Sequence, residues 1–378
     1  MAYSKSVAIA SELRAQILNN EYKKGDKLPT ESELSTRFGV SRQTIRKALA
    51  DLSSENLITS VQGSGSYVAF EAPVRSKTMH ITIITSYISE YIFPAILRGI
   101  DNTVSGAGYT VNVRATNNSI ATERKILEDI LEHPVDGIAV EGTKTTMPNP
   151  NIALYAKIAD LGIPIVMFNN YYPGLENPGY PHVITRHDMI GSSQSGIPLS
   201  NIKHVVLDDY AGAYALTEKL IKEGHTKIGG IFKSDDMQGF VRYSGYLDCM
   251  LYHKAEFEDD NVIWYTTESG PRMIDFWEEG LAVNYSPYTA LLKECTALIC
   301  YNDTVAQLVL STLNRGLLQA NINALYSFDR HIDLHSTTGI ETYSLGYPKD
   351  NIGELIGHKL LDMMNGKDVQ SEMLAWTK

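Results

Sequence analysis

Residues 28–68 read LPTESELSTRFGVSRQTIRKALADLSSENLITSVQGSGSYV, and the rest of the chain takes its meaning from them. Thr30 followed three residues later by Glu33 is a capping box, in which each side chain satisfies an amide that a helix start leaves open; a helix is predicted from Glu31. Leu34 and Phe38 give it a short apolar face, and Gly39 stands where a left-handed residue ends a helix. Ser41 is a second N-cap and opens a helix running through Arg42 to Leu52. Two helices separated by a short turn containing glycine outline a helix-turn-helix. In the second helix Ile45, Ala48, Leu49 and Leu52 recur at helical spacing and face a core, which turns Gln43, Arg46 and Lys47 outward and leaves Arg42 at the N-terminal edge. Leu57 to Val68 then reads as a strand, a glycine turn and a second strand, a hairpin whose tip comes close to other molecules because glycine carries no side chain.

Working outward, residues 3–20 form a first helix with Val7, Ala10, Leu13 and Ile17 on one face, and residues 19–27 are a polar loop with Gly25. The bland reading of this region is a small helical domain with a charged, solvated face. The order of cap, turn, two-faced helix and glycine hairpin argues otherwise. The passage resembles the winged-helix domain of the GntR family of bacterial regulators, through LPTE (28–31), FGVSRQTIRKALADL (38–52) and VQGSGSYV (61–68). The resemblance implies DNA contacts from Lys5, Glu31, Arg42, Gln43, Thr44, Arg46 and Lys47, and from Gln62 and Gly63 at the wing. Arg42 and Arg46 are the expected base readers, since a bidentate arginine discriminates guanine by about 1–3 kcal/mol. Glu31 accepts from a cytosine amino group, orients an arginine, or only favours the positive end of its helix.

The formal net charge of −11 hides an asymmetry: residues 1–70 hold nine Lys and Arg against seven Asp and Glu, a net of +2, which leaves −13 for the remainder. A weakly basic head makes few phosphate contacts, so useful affinity for double-stranded DNA implies a homodimer. A chain of 378 residues, 43% hydrophobic and 20% charged, holds roughly two or three soluble domains. No apolar run reaches the ~18 residues of a membrane span and no apolar leader opens the chain; a cytoplasmic protein without membrane contact is expected. Cys249, Cys295 and Cys300 are odd in number and lack metal or redox spacing, as reduced thiols without chemistry do.

After an aperiodic linker at 71–78, short apolar runs alternate with helical segments from residue 79 to the end: strands near 79–85, 109–115, 135–140, 163–168, 204–207, 228–232, 296–300 and 324–328, with helices between them. Such alternation means parallel sheets covered on both faces, and the number of strands suits two lobes. The expected lobes are 79–171 with 348–366, and 203–345, within a ligand-binding body at 79–378. This region resembles the LacI/GalR type of sugar-responsive effector domain, through GHTKIG (224–229), RYSGY (242–246), CYND (300–303) and SFD (327–329). With TSYISEYIFP (85–94) and FKSDDMQG (232–239), the whole resembles the arabinose-responsive repressor subgroup of Gram-positive bacteria over nearly the entire chain. The expected fold class is therefore α/β: an N-terminal winged helix-turn-helix and a two-lobed, periplasmic-binding-protein-like body with parallel sheets. Two departures stand out: residues 186–199 look like extra sequence, and the chain stops without the Arg-x-Ser ending common in the effector family, so that loss of an edge strand is expected.

A pyranose presents hydroxyls that donate and accept and a ring face that is apolar, so its site needs carboxylates, amides, a guanidinium and an aromatic ring. Positions after strands supply these types: Tyr91, Phe93, Glu141, Asn169, Lys233 and Gln238, with Arg242 on the next helix and Asp303 and Asp329 after later strands. Each has a structural alternative as a cap or ion pair, and Asp303 is an evident N-cap candidate. Asp209 also reads as a cap. His331, Asp333 and His335 lack a second cluster to complete a metal site, and no catalytic constellation or cofactor motif stands out; neither a metal nor a cofactor is expected. The expectation is a non-enzymatic repressor of sugar-utilisation genes, L-arabinose first among them, released from operator DNA when sugar enters the inter-lobe cleft. The alternative keeps the architecture with a different sugar or a purine-like ligand. A transport-type sugar receptor would lack the winged helix, and an enzyme would need a catalytic constellation.

Overall fold

The computed structural model describes residues 5–18, 21–61, 63–70, 77–89, 92–173, 175, 201–269, 294–315 and 320–377. It divides into an N-terminal unit ending at Lys77 and a larger unit beginning at Thr78. Tyr91, Gln62, most of the expected linker and the extra segment 186–199 lie outside the described residues.

The N-terminal unit holds α1 (Lys5–Leu18), α2 (Glu31–Phe38), α3 (Arg42–Ser54), β1 (Ile58–Val61) and β2 (Gly65–Val68). The capping box forms, with Thr30 accepting from the Glu33 amide and the Glu33 carboxylate accepting from the Thr30 amide at 2.7 Å. Gly39 ends α2 at φ 61°, and the Ser41 side chain caps α3 through the Thr44 amide. Each cap contributes about 1 kcal/mol, which matters for a helix as short as α2. The core gathers Ile9, Leu13 and Ile17 from α1, Leu34 from α2, Ile45, Ala48, Leu49 and Leu52 from α3, and Ile58 and Val68 from the hairpin. Val7, expected on the buried face of α1, is 39% exposed, and Ile9 takes its place. The helix is registered by Ile9, Leu13 and Ile17, a strict i, i+4 ladder. The wing pairs Ile58 with Val68 and Val61 with Gly65, antiparallel, across a turn in which Gly63 has φ 76° and Gly65 φ 127°.

The larger unit has two lobes. In the first, β3 (His80–Thr85), β4 (Thr110–Ala115), β5 (Gly137–Val140), β6 (Ile165–Phe168), β7 (Ile202–Leu207) and β13 (Glu372–Leu374) form a parallel sheet in the order β13-β7-β6-β5-β3-β4. Helices α4 (Phe93–Gly106), α5 (Ile120–Glu132) and α6 (Ile152–Asp160) cross between its strands. The second lobe joins β8 (Ile228–Lys233), β9 (Val262–Tyr265), β10 (Ala297–Cys300), β11 (Ala324–Phe328) and β12 (Glu341–Leu345) in the order β12-β11-β10-β8-β9, also parallel, with α7 (Asp209–Lys222), α8 (Met237–Tyr252) and α9 (Asp303–Asn314). A final helix, α10 (Lys349–Met364), returns to pack on α4.

Two expectations change here. The strand around 204–207 belongs to the first lobe, because Ile202 to Val205 pair with Ile165 to Phe168. The edge strand expected to be lost is present: Glu372–Leu374 pairs with Val205–Leu207, after the helix rather than in a longer tail. Both errors have one cause, since strand type can be read from periodicity but sheet membership is a long-range pairing.

Helices α4 and α10 meet backbone to backbone. A Cβ on Gly353 would stand 2.2 Å from the Ile96 carbonyl oxygen and 2.9 Å from the Gly99 Cα. Gly353→Ala should therefore destabilise the larger unit by about 2–3 kcal/mol, since backbone rather than a side-chain tip must give way. Denaturant titration would check this; a midpoint equal to wild type would contradict the close crossing.

Candidate functional site

In the N-terminal unit, burial of Ile45, Ala48, Leu49 and Leu52 leaves Arg42, Gln43, Arg46 and Lys47 exposed along one side of α3, with Thr44 half-buried and its hydroxyl 2.9 Å from that of Ser41. Glu31, at the start of α2, receives the Arg46 Nε at 2.8 and 3.0 Å through its two oxygens. Of the three roles open to Glu31, the structure shows the second: it orients an arginine. An exposed ion pair adds little stability, so its consequence is to hold the guanidinium in one place. Arg42 donates to the Ser32 hydroxyl at 3.0 Å, Lys5 is exposed at the first turn of α1, and Gly63 lies at the hairpin tip.

The larger unit places its cleft by topology. In each lobe the strand order reverses beside the first strand, between β3 and β5 and between β8 and β10. Crevices form beyond the carboxyl ends of parallel strands at such points. Ser86 and Glu141 follow the first pair of strands, and Lys233, Tyr301 and Asn302 stand at the ends of the second. All five line one pocket of about 260 Å³, together with Tyr87, Phe93, Asn118, Asn170, Asp236, Gln238, Tyr265 and Thr267.

Glu141 is buried and accepts from the Ser86 amide at 2.9 Å. Burial raises the pKa of its carboxyl, opposed by the Ser86 bonds and the nearby Lys233 charge. Burial alone would lower Lys233, but Asp236, 3.0 Å from its Nζ, and Asp235, at 3.7 Å, raise it instead and keep the ammonium charged. Asp236 also accepts from the Tyr301 hydroxyl at 2.8 Å. Phe93 and Tyr87 form a tilted aromatic pair 6.3 Å apart on the apolar wall. The pocket thus offers a carboxylate, an ammonium, amides and rings within one small space, the set that a polyhydroxylated ring requires.

Behind it stands Arg242, 1% exposed. Its Nε donates to Asp209 at 2.9 Å, another nitrogen donates to the Tyr301 carbonyl, and Asp329 lies 3.9 Å from its Nη2. The guanidinium packs on the rings of Phe328 at 4.2 Å, Tyr301 at 4.8 Å and Trp376 at 5.2 Å. Asn169, Arg242 and Asp329 are thus buried beside the pocket rather than counted in its lining. Asn169 Nδ2, Asp329 Oδ2, the Tyr347 hydroxyl and Trp376 Nε1 are buried without a hydrogen-bond partner among the described residues. An orphaned buried polar atom costs about 1–3 kcal/mol, so the cluster of Asp329, Tyr347 and Trp376 beside Arg242 is left with polar groups to satisfy.

Asp303 is used differently. Its carboxylate accepts from the hydroxyls of Ser327 and Ser344 and from the His331 amide, tying α9 to the loop after β11. The cap of α9 is Asn302, which accepts from the Val305 amide, and the cap of α7 is Asp208 rather than Asp209. In both cases the cap is the residue one position earlier, where the backbone is still extended or irregular. Among the described residues no three His, Cys, Asp or Glu side chains are arranged to hold a metal ion; His335 pairs with Asp333 in solvent.

The lobes are also joined along the cleft. Asn118 donates to the Thr267 hydroxyl at 2.5 Å, Thr146 to the Ser234 carbonyl at 2.7 Å, and the Met237 amide to the Thr145 hydroxyl at 2.8 Å, while Lys144 pairs with Glu268. Asn118, Lys144, Asn169 and Asp329 all have positive φ, a conformation uncommon outside glycine that clusters at working sites. Ser86, Asn118, Tyr265, Thr267, Tyr301 and Asn302 were not singled out from sequence. Tyr265 closes β9 and Thr267 follows it, a strand that the reading of the sequence leaves out, whereas Tyr301 and Asn302 directly follow an evident strand, within reach of the rule that finds Lys233.

Burial lifts the Asp329 carboxyl from an ordinary 3.8 to about 8, with only Lys349 acting against it, and lifts Asp209 to about 6. The folded state therefore holds the Asp329 proton more tightly than the unfolded chain. Its contribution to stability is full below about pH 4 and is lost as pH rises through about 8. Melting temperatures at pH 5.5 and 8.5 should differ less in Asp329→Asn than in wild type; equal differences would rule out this carboxyl as a source of the pH dependence.

Comparison with known proteins agrees with this geometry. Residues 5–68 match the family model described as bacterial regulatory proteins, gntR family, and residues 78–371 match periplasmic binding proteins and sugar binding domain of LacI family. The chain is 30% identical over 368 residues to an arabinose metabolism transcriptional repressor of Geobacillus stearothermophilus, covering 97% of this chain and 92% of that one. It is 32% identical over 310 residues to the protein of the same name from Halalkalibacterium halodurans, covering 81% and 74%. The fold is shared with the transcription regulator CcpA of Lactococcus lactis, at a TM-score of 0.57 and 23% identity over 80% of this chain and 96% of that one.

Proposed function

The chain belongs to the LacI-type family of periplasmic-binding and sugar-binding proteins, with a gntR-family head, and on that premise we propose that it is a transcriptional repressor loosened from its operator by an arabinose-class sugar. The observation that carries this reading is the pocket at two facing switch points, lined by Glu141, Lys233, Gln238 and Phe93 and backed by Arg242. A hydroxylated ring bonds to both walls at once, so it favours the arrangement in which the lobes are closed. The head reads DNA through Arg42, Gln43, Arg46 and Lys47, with Glu31 presenting Arg46 and with Lys5, Thr44 and the wing residues Gln62 and Gly63 at its margins. A net charge of only +2 on residues 1–70 supports a homodimer on a palindromic operator, acting in the cytoplasm. Coupling of about 1–3 kcal/mol between sugar and DNA suffices for induction.

Arg46→Ala should weaken operator binding by about 1–3 kcal/mol and relax base preference, whereas Lys47→Ala should lower the salt dependence with little change in sequence preference. Glu141→Gln should weaken sugar binding at least several-fold and leave sugar-free operator binding intact. Mobility shifts with an operator fragment, with and without L-arabinose, separate these outcomes. An operator complex that survives millimolar concentrations of every pentose and hexose would sink the induction half of the reading.

A further inference from the structure

The loop that follows Glu141 reaches across the cleft, flanking the pocket rather than lining it. The Thr145 hydroxyl accepts from the Met237 amide at 2.8 Å, the Thr146 hydroxyl donates to the Ser234 carbonyl at 2.7 Å, and Lys144 pairs with Glu268. Met237 opens α8, so its amide is one of the donors that a helix start leaves without a partner in its own turn. The side-chain cap of α8, Asp236, takes the Gly239 amide. The first turn of a second-lobe helix is thus completed by a side chain of the first lobe. The loop is held ready for this. Glu123 is fully buried and accepts from Asn149 at 2.9 Å, Asn151 at 2.8 Å, Tyr155 at 2.8 Å and Tyr172. The Tyr172 hydroxyl in turn accepts from the Thr143 amide at 2.6 Å, and the Lys144 amide donates to Asn118 at 3.1 Å. A loop already ordered loses little freedom when it makes its bonds.

We infer that Lys144, Thr145 and Thr146 form a latch that sets the affinity for the effector without touching it. The two halves of the latch continue the two pocket walls: Thr145 stands four residues after Glu141, and Ser234 directly follows Lys233. A ligand bonded to Glu141 and Lys233 draws those two segments together. With the cleft open, the Met237 amide and the Ser234 carbonyl meet water; with it shut, Thr145 and Thr146 replace that water. The three contacts belong to the closed arrangement alone, so they favour it by the same factor for any ligand that closes the lobes. The latch residues are positioning residues, and the sugar's own contacts decide which sugar is held. The inference rests on the proposed sugar-induced repressor and adds the closing step to it.

Thr145→Val keeps the shape of the side chain and removes the acceptor, which leaves a buried amide unpaired in the closed form only. It should bind L-arabinose about tenfold more weakly by calorimetry and need about tenfold more sugar to release an operator fragment. Without sugar it should hold the operator at least as tightly as wild type. Lys144→Glu sets two carboxylates against each other and should weaken sugar binding several-fold. Adding Glu268→Lys should restore most of that loss, a recovery that general damage to the fold would not show. This exposed pair serves if Thr145→Val melts early. Hydrogen exchange reads the latch directly: without sugar, the Met237 amide should exchange faster in Thr145→Val than in wild type. Wild-type sugar affinity in both Thr145→Val and Lys144→Glu would overturn the inference and leave the repressor reading standing. A wild-type protein that binds no L-arabinose would count against the effector reading, and equal exchange at Met237 would then overturn the latch as well.

Discussion

A guanidinium taken wholly out of water sets the terms for the larger unit. Removing such a charge from solvent costs several kcal/mol, and the cost is offset only where opposite charge, carbonyl oxygen and ring faces are all supplied. Arg242 receives Asp209 from the start of α7, the Tyr301 carbonyl from the end of β10, Phe328 from the end of β11 and Trp376 from the C-terminal segment. Four stretches distant in sequence are thus held to one point. Burial alone would lower the Arg242 pKa, but Asp209 raises it, so the side chain remains a cation inside the protein. The same point lies beside the cleft, behind Tyr301 of the pocket wall.

The cleft follows from repetition. Both lobes have the same order of strands, so each has one place where connections leave in opposite directions, and those two places face a common pocket. The loops there carry residues with left-handed backbone and the bonds from Asn118, Thr145 and Thr146 that cross between lobes. Strain at such positions persists because the surrounding sheets over-determine it. It holds side chains at angles that relaxed loops would not hold.

The N-terminal unit works by a different economy. Its α3 divides into a face made entirely of core residues and a face of long polar side chains, with the caps fixing where each begins. Glu31 lowers the net charge of this surface and orders Arg46. A surface built this way carries little net positive charge while one of its guanidinium groups is fixed in place.

Local chemistry in the sequence determined the elements. The Thr30–Glu33 box, Ser41, Gly39 and the spacing of Ile45, Ala48, Leu49 and Leu52 are short-range rules, and the structure obeys them within a residue or two. The parallel two-lobed class was also legible, because alternating apolar runs and helical segments permit few other arrangements, and so was the region beyond the strand ends in which Phe93, Glu141, Lys233 and Gln238 line one pocket. Only the tertiary structure decided which sheet receives residues 202–207, that residues 372–374 form an edge, and that Asp303 binds Ser327 and Ser344 rather than facing the pocket. It alone set Trp376 against Arg242 and Tyr347 against Trp376. The physical reason is range: caps and periodicities act across four residues or fewer, whereas strand pairing and the solvation of a buried charge join residues from a few tens to more than a hundred positions apart, and nothing local announces them.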